Sequence, residues 1–243
     1  MRLSSSCRVT GVALLLLAGA EIRAGPAPVL DWSARFRDVS QDLHAANWTR
    51  ALATVETLLT EMRETIASGA GAAPSLGVAT MYRAVAEAGL GERESAAWDL
   101  WMAQSLLPAM AEADLQGFGE AGKLLDEERR SAEPAIAGLA GVARPAKLSG
   151  EVPRFPFGKA QVCGAGPVKV RVHLGADGVP RRPRVEAGTD PVLAYAAMDA
   201  LRNWRFRPAS RDGQPLAVPY TLTVDYRVLN CPGAAPGKPA APG

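Results

Sequence analysis

Apolar and polar positions follow two different rhythms along this chain. From about residue 29 to 131 the apolar residues recur every three or four positions. Leu52, Val55, Leu58, Leu59 and Met62 make one stripe, and Met81, Val85 and Ala88 a second. Ala96, Ala97, Leu100, Trp101 and Leu106 make a third. That spacing predicts helices with one buried face. Gly89-Leu90-Gly91 ends one helix, Pro108 breaks another, and the small and turn-forming residues of 68–75 read as a loop. Further on the rhythm changes to two. Val168, Val170, Val172 and Leu174 alternate with Lys169, Arg171 and His173. Val218, Tyr220, Leu222, Val224, Tyr226 and Val228 alternate with Pro219, Thr221, Thr223, Asp225 and Arg227. Both runs predict strands with one buried face.

The segment between these strands carries its own punctuation. Asp177-Gly178 is a hairpin signal, and Val179 to Val185 returns as a strand. Pro180 and Pro183 cannot donate to a central ladder, so this second strand belongs at an edge. Asp190 followed by Pro191 starts a helix. Leu193, Ala197, Ala200, Leu201 and Trp204 fall on one face of it, and Leu193, Leu201, Trp204 and Phe206 are expected in the core. Asp212-Gly213 turns the chain into the last strand. A right-handed crossover from the second strand to the third places the first strand between them, antiparallel to both. The fold class is therefore α+β: an N-terminal helical, repeat-like region, then a small C-terminal ββαβ domain with a three-stranded antiparallel sheet.

Composition divides the chain further. Residues 1–20 (or 1–24) read as a signal peptide: Arg2 and Arg8 precede the apolar run 9–20, with Ala18-Gly19-Ala20 or Ile22-Arg23-Ala24 as the cleavage site. About twelve apolar residues span roughly 18 Å as a helix, short of a bilayer core of roughly 30 Å. Export to the periplasm is the expectation, and an uncleaved leader anchored in the inner membrane is the alternative. The helical region is assigned 29–131, a Pro/Gly/Ala-rich linker 132–151, the small domain 152–231 and a disordered tail 232–243. Of the three cysteines, Cys7 leaves with the leader. The strand order brings the start of the first strand beside the end of the third. Cys163 and Cys231 flank those two points and are expected to pair in an oxidising compartment. The bridge would close a loop of roughly 68 residues, worth a few kcal/mol on the chain-entropy model.

Charge and chemistry narrow the function. Lys and Arg total 27 against 25 Asp and Glu, and losing Arg2 and Arg8 with a leader balances the two. A neutral chain has no electrostatic footprint for nucleic acid. The arginines at 181, 182, 184, 202, 205, 207 and 211 are expected to be a solvated surface. His44 and His173 lie in no metal-ligand spacing, and neither a phosphate loop nor a nucleophile elbow is present. No enzyme activity, cofactor, metal or catalytic residue is expected. The third strand keeps a free edge that a partner strand can extend, or that the helical half or a second copy can cover.

Two resemblances add to this reading. Met81 to Pro108 resembles a tetratricopeptide repeat: a helix, a glycine-containing turn, a second helix with small residues, then proline. Asn47-Trp48-Thr49-Arg50-Ala51-Leu52 and Glu92-Arg93-Glu94-Ser95-Ala96-Ala97 each begin a helix after a small turn, but these two units lie about 45 residues apart against roughly 34 for that repeat, so an irregular helical bundle stands as the equal alternative.

The second resemblance is more specific. Phe155-Pro156, the Asp177-Gly178 hairpin, the helix end Ala200-Leu201-Arg202-Asn203-Trp204-Arg205-Phe206-Arg207-Pro208-Ala209 and Asp212-Gly213-Gln214-Pro215 resemble the C-terminal domain of TonB-family proteins over residues 152–228. These are energy transducers of Gram-negative envelopes. The resemblance implies a periplasmic domain, without catalytic residues, that pairs the extended TonB box of outer-membrane transporters with its third strand. The implied contacts are Arg154, Phe155, Pro156, Val218, Tyr220, Leu222, Val224 and Tyr226. Two departures bear on force transduction. The leader is shorter than the family's usual anchor, and a helical half stands where the long Pro-rich spacer is usual. The favoured reading is a periplasmic binding or adaptor protein with a protein or extended-peptide partner and a possible homodimeric state. The alternative is a membrane-anchored transducer coupling the proton gradient to outer-membrane transporters.

Overall fold

The computed structural model describes residues 32–67, 74–132, 140–151, 167–186 and 190–224. Five helices come first: α1 (Ser33–His44), α2 (Trp48–Ala67), α3 (Pro74–Gly89), α4 (Arg93–Leu106) and α5 (Gly119–Arg130). Pro108 stops α4 and opens a short 3-10 turn, Pro108–Glu112. α3 packs against α2, α4 and α5 and is buried along most of its circumference. Small side chains make that possible. A Cβ on Gly77 would strike Leu107, and one on Gly89 would enter the Trp48 ring.

The C-terminal part contains β1 (Ala146–Ser149), β2 (Val168–Leu174), β3 (Pro180–Val185), α6 (Pro191–Leu201), β4 (Arg205–Arg207), β5 (Ala209–Arg211), β6 (Gln214–Leu216) and β7 (Val218–Val224). β2 is central, with β3 and β7 antiparallel on either side, the order expected from the crossover argument. Val168 faces Val224, so the start of the central strand does lie beside the end of β7. Asp177 turns the hairpin, its carboxylate accepting from Val179 N–H at 3.0 Å. Gly178 is needed there. Its φ is +76°, and a Cβ would collide with the Phe206 carbonyl. Asp190 caps α6, accepting from the N–H groups of Val192 at 2.9 Å and Leu193 at 3.0 Å.

Several expectations change once the elements are packed. The stretch read as a linker contains β1, which pairs with β4, and Ala143 bridges Ser210. β5 and β6 form a second small hairpin, with Asp212 and Gly213 at φ +51° and +79° as a tight two-residue turn requires. Trp204 lies beyond the end of α6, not on its face. α6 itself is not one-sided. Val192 to Met198 are all buried, because β2 and β3 cover one side of the helix while α2 and α4 cover another. The helical half and the sheet domain share one apolar core.

Candidate functional site

The phase of the ladder decides which β7 residues reach its outer edge. Glu186 N–H donates to the Lys169 carbonyl at 3.1 Å, so the main-chain groups of Lys169 point toward β3. Main-chain direction alternates along a strand, so Val168, Val170, Val172 and Leu174 point toward β7. Their partners are Val224, Leu222, Tyr220 and Val218. The groups of Pro219, Thr221 and Thr223 therefore point outward. Pro219 agrees with this phase, since a proline facing β2 would leave a gap in the ladder. Among the described residues β7 pairs only with β2. Its outer edge offers the N–H and C=O of Thr221 and Thr223 and the C=O of Pro219. The Thr221 and Thr223 side chains are exposed, while Val218, Leu222 and Val224 are buried. Tyr220 packs edge-on against Phe206, with ring centres 6.0 Å apart.

The opposite edge is closed by the helical half. Val185 N–H on β3 donates to Ser105 Oγ of α4 at 2.8 Å. A bulge interrupts the β2–β3 register between Arg171 and His173, and Arg182 there has φ +52°. The bulge aims Arg182 at the helices. Its guanidinium lies 4.8 Å from the centre of the Trp101 ring, 3.4 Å from Glu128, and donates to Ser131 Oγ. Trp101 Nε1 donates to the same Glu128 carboxylate at 2.8 Å. Arg184 adds a second cation at 5.1 Å from the Trp101 ring centre. The expectation that these arginines form a solvated surface is thus corrected for Arg182, while Arg184 stays exposed.

It is corrected more strongly for Arg202. Asp99 of α4 is fully buried and accepts from Arg83 Nε, from Arg83 Nη2 at 3.0 Å, and from Arg202 Nη2. Arg202 also reaches Glu87 at 3.3 Å, and Arg83 reaches Asp199 at 3.3 Å. The cluster draws Arg83, Glu87 and Asp99 from the helical half and Asp199 and Arg202 from the end of α6. Tyr195 is buried beside it, with Arg63 and Arg83 at 5.4 and 5.8 Å from its ring centre. Burial, followed by the charge of Asp99, pushes the Glu87 carboxyl up to about 8. The folded protein keeps that proton while the unfolded chain loses it near pH 4.5, so stability falls as pH rises from about 4.5 to about 8. Glu87→Gln should flatten that slope. Urea midpoints at about pH 5 and about pH 8 check it, and an unchanged slope refutes it.

The residues nominated from sequence separate into three groups. Val218, Leu222 and Val224 face the core and Tyr220 packs on Phe206, with their main-chain bonds turned to β2. Leu193, Leu201, Trp204 and Phe206 are buried. Arg154, Phe155, Pro156, Cys163, Tyr226 and Cys231 lie outside the described residues, as does the Cys163–Cys231 pairing. The edge-facing threonines were not nominated. The signal for them was Pro219, which marks the outward phase of its strand.

Two concavities complete the description. A groove of about 840 Å³ runs past the turns after α1 and α3, lined by His44, Trp48, Leu90 and Phe118 among others. A cavity of about 350 Å³ lies between α4 and the β2–β3 hairpin. No group of three or more His, Cys, Asp or Glu among the described residues is placed to hold a metal. Among those residues, no helix is long and apolar enough to cross a membrane.

Residues 153–228 match the family model described as Gram-negative bacterial TonB protein C-terminal. That family is a non-enzymatic interaction domain, whose members interact with the TonB box of outer-membrane transporters. Its members work in the periplasm, either free or anchored to the membrane. No curated protein and no solved structure matches the chain.

Proposed function

We propose that this is a periplasmic binding or adaptor protein that takes an extended segment of a partner protein as a fourth strand along β7, in TonB-dependent transport. The observation that carries this reading is the asymmetry of the two sheet edges. β3 is sealed by Ser105, Trp101 and the Arg182 bulge, while β7 leaves the main-chain groups of Thr221 and Thr223 without a strand partner among the described residues. An edge of that kind pairs readily with an added strand. The helical half serves as a fixed scaffold that closes the wrong edge and holds α6 through the buried ion cluster. The leader is removed on export in this reading, and Cys163 pairs with Cys231.

Thr223→Pro tests the edge directly. Its N–H points outward, so proline there leaves the β2 ladder intact and should cost less than about 1 kcal/mol of stability. Binding of an extended peptide should weaken roughly tenfold or more, through the lost donor and the bulk of the ring. Titration calorimetry with wild type and variant, with β7 amide shifts followed by NMR, gives the readout. Equal affinity for both proteins would sink strand addition at β7. The fate of the leader separates this reading from a membrane-anchored transducer. N-terminal sequencing of fractionated protein should find a soluble form starting near Glu21 or Gly25, and a full-length form in the inner membrane would favour the transducer.

A further inference from the structure

The sheet face opposite α6 has a charge pattern that points to the chemistry of the added strand, an inference that rests on strand addition at β7. On that face β2 carries Lys169, Arg171 and His173. Beside them stand Glu186, just past the end of β3, and Arg184 and Arg181 in register on β3. On β7 stand Thr223, Thr221 and Pro219. Lys169 has Glu186 at 3.8 Å, and Arg181 has Asp177 at 2.7 Å. Among the described residues Arg171 has no such partner: Arg184 lies opposite on one side and Thr221 on the other. Two like charges directly opposed across strands disfavour each other. The open side of Arg171 is the β7 side, where a short threonine leaves room for its side chain to lie across the strand.

Strand spacing sets what can meet it. Strands lie about 4.8 Å apart, so a residue on an added strand opposite Thr221 sits roughly 10 Å from the Arg171 backbone. An extended arginine and a glutamate together span that gap. Lys169 stands in the same relation to a residue opposite Thr223, two positions along. Side chains on the other face of the added strand continue the row of Tyr220 and Leu222, which is apolar. We propose that the partner segment alternates, with carboxylates, glutamate above all, at the two outward positions beside Thr221 and Thr223 and apolar residues at the inward ones.

The test uses the whole chain and two acetylated, amidated peptides of about eight residues, the length of an ordinary strand. One alternates valine with glutamate and the other valine with lysine. At low salt the glutamate peptide should bind about three- to tenfold more tightly, and the preference should shrink as salt rises. Arg171→Ala should reduce the preference, and Arg171→Glu should reverse it. Equal affinities, with β7 amides shifted by both peptides, overturn the acidic partner and leave strand addition standing. Failure of both peptides to shift β7 amides overturns the two together.

Discussion

Asp99→Ala should destabilise the protein by about 3–5 kcal/mol, the cost of leaving buried charge without its counter-charge. Asp99 is fully buried and, among the described residues, is the one carboxylate in contact with both Arg83 and Arg202. Removing it leaves two guanidiniums close together, with Glu87 and Asp199 at longer range. Arg83 comes from α3 and Arg202 from the turn after α6, so the damage falls on the junction between the helical half and the sheet domain. Urea unfolding followed by tryptophan fluorescence measures it, since one of the five tryptophans, Trp101, packs against Arg182 and Arg184 across the same junction. A loss below about 1 kcal/mol would show that the cluster is solvated and does not hold the halves together. Replacing Arg83, Glu87, Asp99 and Arg202 together by apolar residues of similar size should be far milder, since the buried charges and their desolvation are then removed together.

Trp204→Ala should cost a comparable 3–5 kcal/mol by emptying a large buried site. Trp204 is 6% exposed and donates from Nε1 to the Glu151 carbonyl at 2.9 Å. Gly150, at φ +121°, passes so close to the indole that a Cβ would collide with it. The Lys147 ammonium lies 3.3 Å from the indole ring centre, and its burial holds its pKa below the usual lysine value. The ring thus ties β1 to the turn before β4. It also touches Phe206, with centres 6.2 Å apart, and Phe206 touches Tyr220 of β7. Chemical denaturation gives the energy, and β7 amide shifts in the variant should report the disturbed chain of rings. Trp204→Phe should recover most of the packing and lose about 1 kcal/mol for the hydrogen bond to Glu151. An alanine variant as stable as wild type would show that β1 is not anchored here.

How much of this was legible in the sequence depends on the range of the interaction concerned. Local signals read true. Asp190-Pro191 began a helix because a carboxylate there accepts two otherwise unpaired N–H groups. The proline pair 180 and 183 marked an edge strand because proline has no donor for a ladder, and alternation placed Val168 to Leu174 in the centre with one face buried. The short strand Ala146–Ser149 went unseen because four residues carry too little periodicity to stand out. Arg202 read as a surface residue because nothing near it in sequence shows that Asp99 will meet it.

The sequence by itself determined the two halves, the strand order of the sheet and the resemblance of residues 152–228 to a TonB C-terminal domain. Periods of 3.6 and 2, proline and glycine, and helix caps are all properties of neighbours along the chain. Tertiary structure alone decided that the helical half closes the β3 edge, and that it is built into the domain's core. Those outcomes depend on residues far apart in the chain. Ser105 meets Val185, Trp101 meets Arg182, and Asp99 meets Arg202. A buried charge or an unpaired strand edge has a free energy set by what is brought against it in space, which one-dimensional patterning does not encode.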